Sequence, residues 1–132
     1  MSNALSSLGF HKLGTMSDSW VRGLQQEVPT LVTNWSGRQG FYSTMNEDDS
    51  AFKQKVEARL SAMMEDWLAE HFPAHRLLLV SLVVKFPQGD QIVGLHRDWA
   101  YVEETKHNSL NFWIPLEDVD EQRGCLHVVG GS

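Results

Sequence analysis

A single cysteine, Cys125, stands in a chain of 132 residues. One thiol closes no internal disulfide, so a reducing compartment, the cytoplasm, is the expected setting. Basic residues are also few. Eleven Lys and Arg face 17 Asp and Glu, the formal charge is −6, and no Lys/Arg cluster offsets it. That balance speaks against a nucleic-acid surface. Long hydrophobic runs are missing as well. The longest apolar stretch, Leu77 to Val84, falls far short of the ~20 residues that cross a bilayer, so no membrane partner is expected. The opening "MSNALSSLGFHKLG" lacks the basic start and apolar block of a secretory signal. Neither an internal repeat nor a low-complexity segment is present. What remains is 42% hydrophobic and 21% charged, the composition of a soluble globular protein at the length of one compact domain.

The order of elements points to α+β. Residues 1–15, rich in Ser, Gly and Asn, read as a loose lead-in. Ser17 or Asp18 can cap a short helix from Ser19 to about Glu27, with Pro29 as its limit. "NWSGRQGFYSTMNEDDS" reads as a loop whose Trp35, Phe41 and Tyr42 pack onto the domain. A strong helix follows. Asp48, Asp49 or Ser50 can cap it, Pro73 stops it, and Phe52, Val56, Leu60, Met63 and Trp67 recur along one face. That stripe is a core face in the first reading and a partner groove in the second. Beyond Pro73 the period changes. Residues 77–86, 91–96, 109–116 and 125–129 read as four strands, with an acidic loop over 117–124. Residues 1–75 are therefore a helical lead-in and 76–132 a β-half, an antiparallel sheet or jelly roll, within one domain.

The chemistry concentrates at "GLHRDWAYV", residues 94–102. On a strand, His96 and Asp98 would share a face ~7 Å apart along the backbone. An imidazole nitrogen and a carboxylate oxygen suit a borderline divalent cation such as Fe(II), and one more His would complete a two-His-one-carboxylate triad with open positions. Taken alone the triplet is also an ordinary pair of polar strand residues. Among the other histidines, His127 has apolar neighbours and His107 lies in the loop before the third strand. The acids of 117–121 read as a solvated loop before they read as a second metal site.

The ordered series "VVKFPQGD", "HRDWAYV" and "SLNFWIPLEDVDEQRGCLHVVGGS" resembles the phytanoyl-CoA dioxygenase-like family of Fe(II)- and 2-oxoglutarate-dependent oxygenases over roughly residues 77–132. The matching positions are His96, Asp98, Trp99, Trp113, Leu116, Asp118, Asp120, Gly124, Leu126, Gly131 and Ser132. The resemblance implies a jelly-roll (double-stranded β-helix, cupin-like) fold. It implies Fe(II) as cofactor, 2-oxoglutarate and O2 as cosubstrates, and a small organic substrate to be hydroxylated. His96 and Asp98 would be two of three iron ligands, and Trp113 would line the 2-oxoglutarate pocket. Asn111 would offer an amide to cosubstrate or substrate, or be a polar residue satisfied by backbone. Lys85 would meet a carboxylate, or be a solvated strand-end lysine. Gly124 and Gly131 would serve turns. Retention of Asp98 implies hydroxylation rather than halogenation.

The sequence departs from the family pattern in three places. Arg123 stands where Asn is usual and Gly130 where Pro is usual. The family's third ligand, a His, and the basic residue that pairs with the far carboxylate of 2-oxoglutarate both follow the G-S-H segment, and residues 1–132 carry neither. The expectation is a fragment of a longer enzyme, with about four of the eight strands of a jelly roll, inactive by itself and able to associate through exposed strand edges. The rival expectation is a non-catalytic jelly-roll relic that binds a ligand or a partner.

Overall fold

The computed structural model describes residues 3–32, 35–88 and 92–131. Asn34 of the expected first loop, the Gly89–Asp90 turn, Gln91 at the head of the expected second strand, and Ser132 lie outside them. The chain divides into two compact units, residues 27–114 and residues 1–26 with 115–132. No helix among the described residues is long and apolar enough to cross a membrane.

The larger unit is organised by α3, Ser50–His71. The Asp49 carboxylate accepts from the Ala51 and Phe52 amides at 2.9 and 3.0 Å, which satisfies two of the four orphan donors of the first turn. At the other end Phe72 leaves the helical region at φ −136°, ψ 56°. A following proline disfavours the α conformation in the residue before it, and Pro73 imposes that limit here. Val56, Leu60 and Met64 are buried, four apart. Met64, not Met63, takes the third buried place; Met63 is half-buried beside it. The core reading of the stripe holds for Val56 and Leu60, joined by buried Leu31, Val32, Tyr42 and Leu82 of the same unit.

β1, Gly40–Ser43, pairs antiparallel with β2, Val83–Phe86, placing Phe41 opposite Lys85 and Tyr42 opposite Val84. The Thr44 amide donates to the Leu82 carbonyl and the Leu82 amide to Thr44 Oγ1, both at 3.0 Å, carrying the ladder one step past the strand. Thr44 also opens a short 3-10 helix, Thr44–Asn46, that lies against α3. Trp35, Tyr42 and Phe86 form a ring cluster with centroids 5.5–6.4 Å apart, so two of the three aromatics expected to pack do so, while Phe41 stays exposed.

The sheet departs from the expected pattern in both directions. β1 lies in a segment read as loop, because four residues beginning with a glycine carry too little alternation to register as a strand. The apolar run 77–86 pairs only over its last four residues. Residues 92–96, 109–116 and 125–129 form no strand, and Ile92, Leu95, Val128 and Val129 are exposed. β-branched residues favour strands where a neighbouring strand packs against them, so composition without a ladder partner leaves the segment irregular. The described strands are thus a two-stranded antiparallel sheet in an α+β arrangement, consistent with a partial fold.

In the smaller unit are α1, Asn3–Leu8, and the first residues of α2, Asp18–Leu31, inside which the unit boundary falls. α2 starts where expected, with Ser17 accepting from the Trp20 amide. It runs through Pro29 instead of stopping there. A proline in the last turn removes a single ladder bond, and the Val32 amide still reaches the Val28 carbonyl at 3.2 Å. Asp120 caps a 3-10 helix, Glu121–Arg123, by accepting from the Gln122 and Arg123 amides. This gives one acid of the loop a structural task. Gly124 and Gly131 both take φ +75°, the left-handed turns that glycine adopts without a Cβ penalty.

Candidate metal centre

His96 and Asp98 lie in an irregular stretch after β2, both side chains more than half exposed. Their placement begins with the backbone. His96 Nδ1 is 2.8 Å from the Gly94 carbonyl oxygen. A carbonyl only accepts, so Nδ1 carries the proton and Nε2 is left to face outward. Nε2 then stands 3.2 Å from Asp98 Oδ1. A neutral imidazole would set a nitrogen lone pair against a carboxylate lone pair there, and such an approach calls for a cation between the two. A proton is one such cation. The Gly94 carbonyl first, and then the Asp98 carboxylate, raise the His96 pKa above the usual imidazole value, with desolvation acting the other way.

A divalent metal is the other. Two ligands at right angles with bonds of ~2.1 Å lie about 3 Å apart, close to the separation found. One neutral nitrogen and one carboxylate oxygen, with the second ring nitrogen held by a carbonyl, form a donor set suited to Fe(II). The residues present therefore fit such an ion as a partial site.

Asp98 has a second neighbour. Asn111 Nδ2 donates to Asp98 Oδ2 at 3.1 Å, so the two carboxylate oxygens serve different partners. Phe112, next in the chain, packs on Trp67 and Phe72 near the end of α3. The structure thus brings together His96, Asp98 and Asn111. Trp113, half exposed, and Lys85, half buried opposite Phe41 in β2, stand elsewhere. The Gly94 carbonyl was not legible as part of the site; the only signal for it is a residue two before the histidine.

Three of the remaining histidines have other occupations. His71 stacks on Trp67 with centroids 4.8 Å apart and holds the Trp67 carbonyl through Nδ1. His75 meets Phe72 edge-on, and His127 Nε2 lies 3.5 Å from Cys125 Sγ. Among the described residues no group of three or more His, Cys, Asp or Glu side chains is placed to hold a metal ion.

A second polar cluster, unsuspected from the sequence, joins the turn before β1 to the 3-10 helix after it. Arg38 Nη2 donates to Glu47 Oε1 at 2.8 Å and its guanidinium sits 4.0 Å from the Tyr42 ring centroid. The Tyr42 hydroxyl is buried and turned toward the Glu47 carboxylate without closing a hydrogen bond of good geometry.

The model of one known family, phytanoyl-CoA dioxygenase (PhyH), matches residues 18–132. The chain belongs to the phytanoyl-CoA dioxygenase family. The match to this dioxygenase family starts at the first residue of α2 and takes in both strands, α3 and the His96–Asp98–Asn111 cluster. No curated protein and no solved structure matches the chain. The phytanoyl-CoA dioxygenase family is one of oxygenases of the Fe(II)/2-oxoglutarate type.

Proposed function

We propose that the chain is part of an Fe(II)- and 2-oxoglutarate-dependent dioxygenase that hydroxylates a small organic substrate, working in the cytoplasm. His96 Nε2 and Asp98 Oδ1 are two of its three metal ligands. The observation that carries this reading is the 3.2 Å approach of those two atoms with Nδ1 already engaged by Gly94, in a chain of the dioxygenase family. When bound, the iron supplies oxidative chemistry, coupling 2-oxoglutarate decarboxylation to insertion of oxygen into a C–H bond.

The chain's own residues bind and orient. Gly94 fixes the His96 tautomer, and Asp98 fills with a carboxylate the position that a halogenase would leave open to halide, which favours hydroxylation. Trp113 lines the 2-oxoglutarate pocket and Lys85 meets a carboxylate. The second histidine and the cationic partner of 2-oxoglutarate come from outside residues 1–132. In the whole protein 92–96, 109–116 and 125–129 join a jelly roll. Exposed Leu95, Leu126 and Val128 support that reading, since apolar strand formers pack once a neighbouring strand is supplied.

Fe(II)-dependent release of succinate from 2-oxoglutarate by the full-length protein tests the proposal. It is expected to fall to background in His96→Ala and in Asp98→Ala. Succinate release that survives either substitution overturns it, and a well-folded full-length protein with no turnover at all points to a ligand- or partner-binding domain instead.

A further inference from the structure

The Asp98 carboxylate is held on one side only. Asn111 Nδ2 donates to Oδ2 at 3.1 Å, while Oδ1 faces His96 Nε2 at 3.2 Å. Both side chains are exposed, and an exposed hydrogen bond between two unanchored side chains would have little orienting power. Asn111 is anchored through its neighbour. Phe112 is wedged edge-on against Trp67, centroids 5.8 Å apart, and against Phe72 at 4.9 Å. The end of α3 therefore fixes the backbone from which the Asn111 amide reaches.

A carboxylate can give a cation one oxygen or two. Two oxygens would fill an additional coordination position, and a site that must admit a chelating cosubstrate and O2 has none to spare. We infer that Asn111 is a positioning residue, whose amide occupies Asp98 Oδ2 so that Oδ1 alone is presented to a metal beside His96 Nε2. This rests on the proposed metal site and deepens it. It assigns Asn111 to the metal's outer sphere rather than to the cosubstrate. Groups in that position orient the ligands, and their loss commonly costs ~10–100-fold in metal affinity.

The test uses Co(II) alone, without 2-oxoglutarate, added to the full-length protein. Affinity is read by calorimetry and coordination by the Co(II) absorption spectrum. Asn111→Leu keeps the size and removes the donor. It is expected to weaken Co(II) binding by ~10–100-fold and to alter the spectrum as Asp98 is freed to use both oxygens. Asn111→Gln, which keeps an amide, is expected to recover part of the loss. Asn111→Ala provides the same donor deletion should the leucine variant fold poorly, with circular dichroism as the check. Unchanged Co(II) affinity and spectrum in the donor-deleted variants overturn the role of Asn111 while leaving the metal site standing, and an amide that binds only cosubstrate would give that result. Wild-type protein that binds Co(II) no better than His96→Ala overturns the metal site and this inference with it.

Discussion

Phe112 meets the Trp67 ring edge-on, with centroids 5.8 Å apart and planes at 88°. The contact ties the long helix α3 to the segment that carries Asn111. Edge-to-face pairs are worth ~0.5–1.5 kcal/mol beyond area burial, and Phe112 also meets Phe72. Because the ring is about a third exposed, Phe112→Ala should cost ~2 kcal/mol, less than the ~3–5 kcal/mol of a fully buried phenylalanine. Urea denaturation measures it. A midpoint unchanged from wild type would mean that the ring cluster anchors nothing.

Acid should weaken the larger unit in a defined window. The Arg59 guanidinium, by hydrogen bond and then by charge, holds the Glu27 carboxyl below its ordinary 4.5. The Tyr42 hydroxyl and then Arg38 do the same for Glu47. A carboxylate with a depressed folded pKa contributes stability that is whole above the unfolded value and fades as pH falls through the folded one. Stability should therefore drop below pH ~4.5. Glu27→Gln removes one contribution and should flatten that limb of the curve, a difference that salt reduces because the pairs are partly exposed. Denaturation midpoints across the acid range check it; identical slopes for the two proteins would count against the Arg59 pairing.

At the alkaline end the signature residue is Tyr42. Burial first, and then the Glu47 carboxylate, push its phenol from 10.0 up to about 12. A raised folded pKa contributes stability that is complete below the unfolded value and is lost as pH climbs toward the folded one, so the loss runs from 10.0 to about 12. Tyr42→Phe should abolish this component. At neutral pH it should remain within ~1 kcal/mol of wild type, because the hydroxyl lies close enough to lower the Glu47 carboxyl but closes no hydrogen bond of good geometry. Phenolate absorbance and denaturation midpoints, taken together, decide it. A loss of several kcal/mol at neutral pH would show that the hydroxyl is a working partner of Glu47.

α3 was legible nearly residue by residue because everything that makes it is local. The 3.6-residue stripe through Val56 and Leu60, the Asp49 cap and the Pro73 stop all lie within one helix length. β1 was not, since a four-residue strand exists only through β2, some forty residues away, and pairing across that distance leaves no trace in a short window. Pro29 misled for a related reason: a proline ends a helix only where the lost hydrogen bond matters, and in the last turn of α2 it does not. At the candidate site the two-residue step from His96 to Asp98 pointed to a shared cation. The hydrogen bond from Asn111 to Asp98 crosses thirteen positions and follows no periodicity, so only the folded chain reveals it.

The Gly131 amide donates to the Leu8 carbonyl at 2.9 Å, and Gln25 reaches the Leu116 carbonyl, so the smaller unit is made from stretches far apart in the chain. Closing so long a loop is entropically slow compared with forming a helix and the shorter-range β1–β2 ladder on either side of it. A ribosome delivers residues in order, and domains assemble as their parts emerge. The unit around α3 has all its residues once Ile114 has emerged, whereas Leu8 waits for Gly131. The two units are consequently unequal in time as well as in size, since Leu8 meets Gly131 only after the unit around α3 has all its residues.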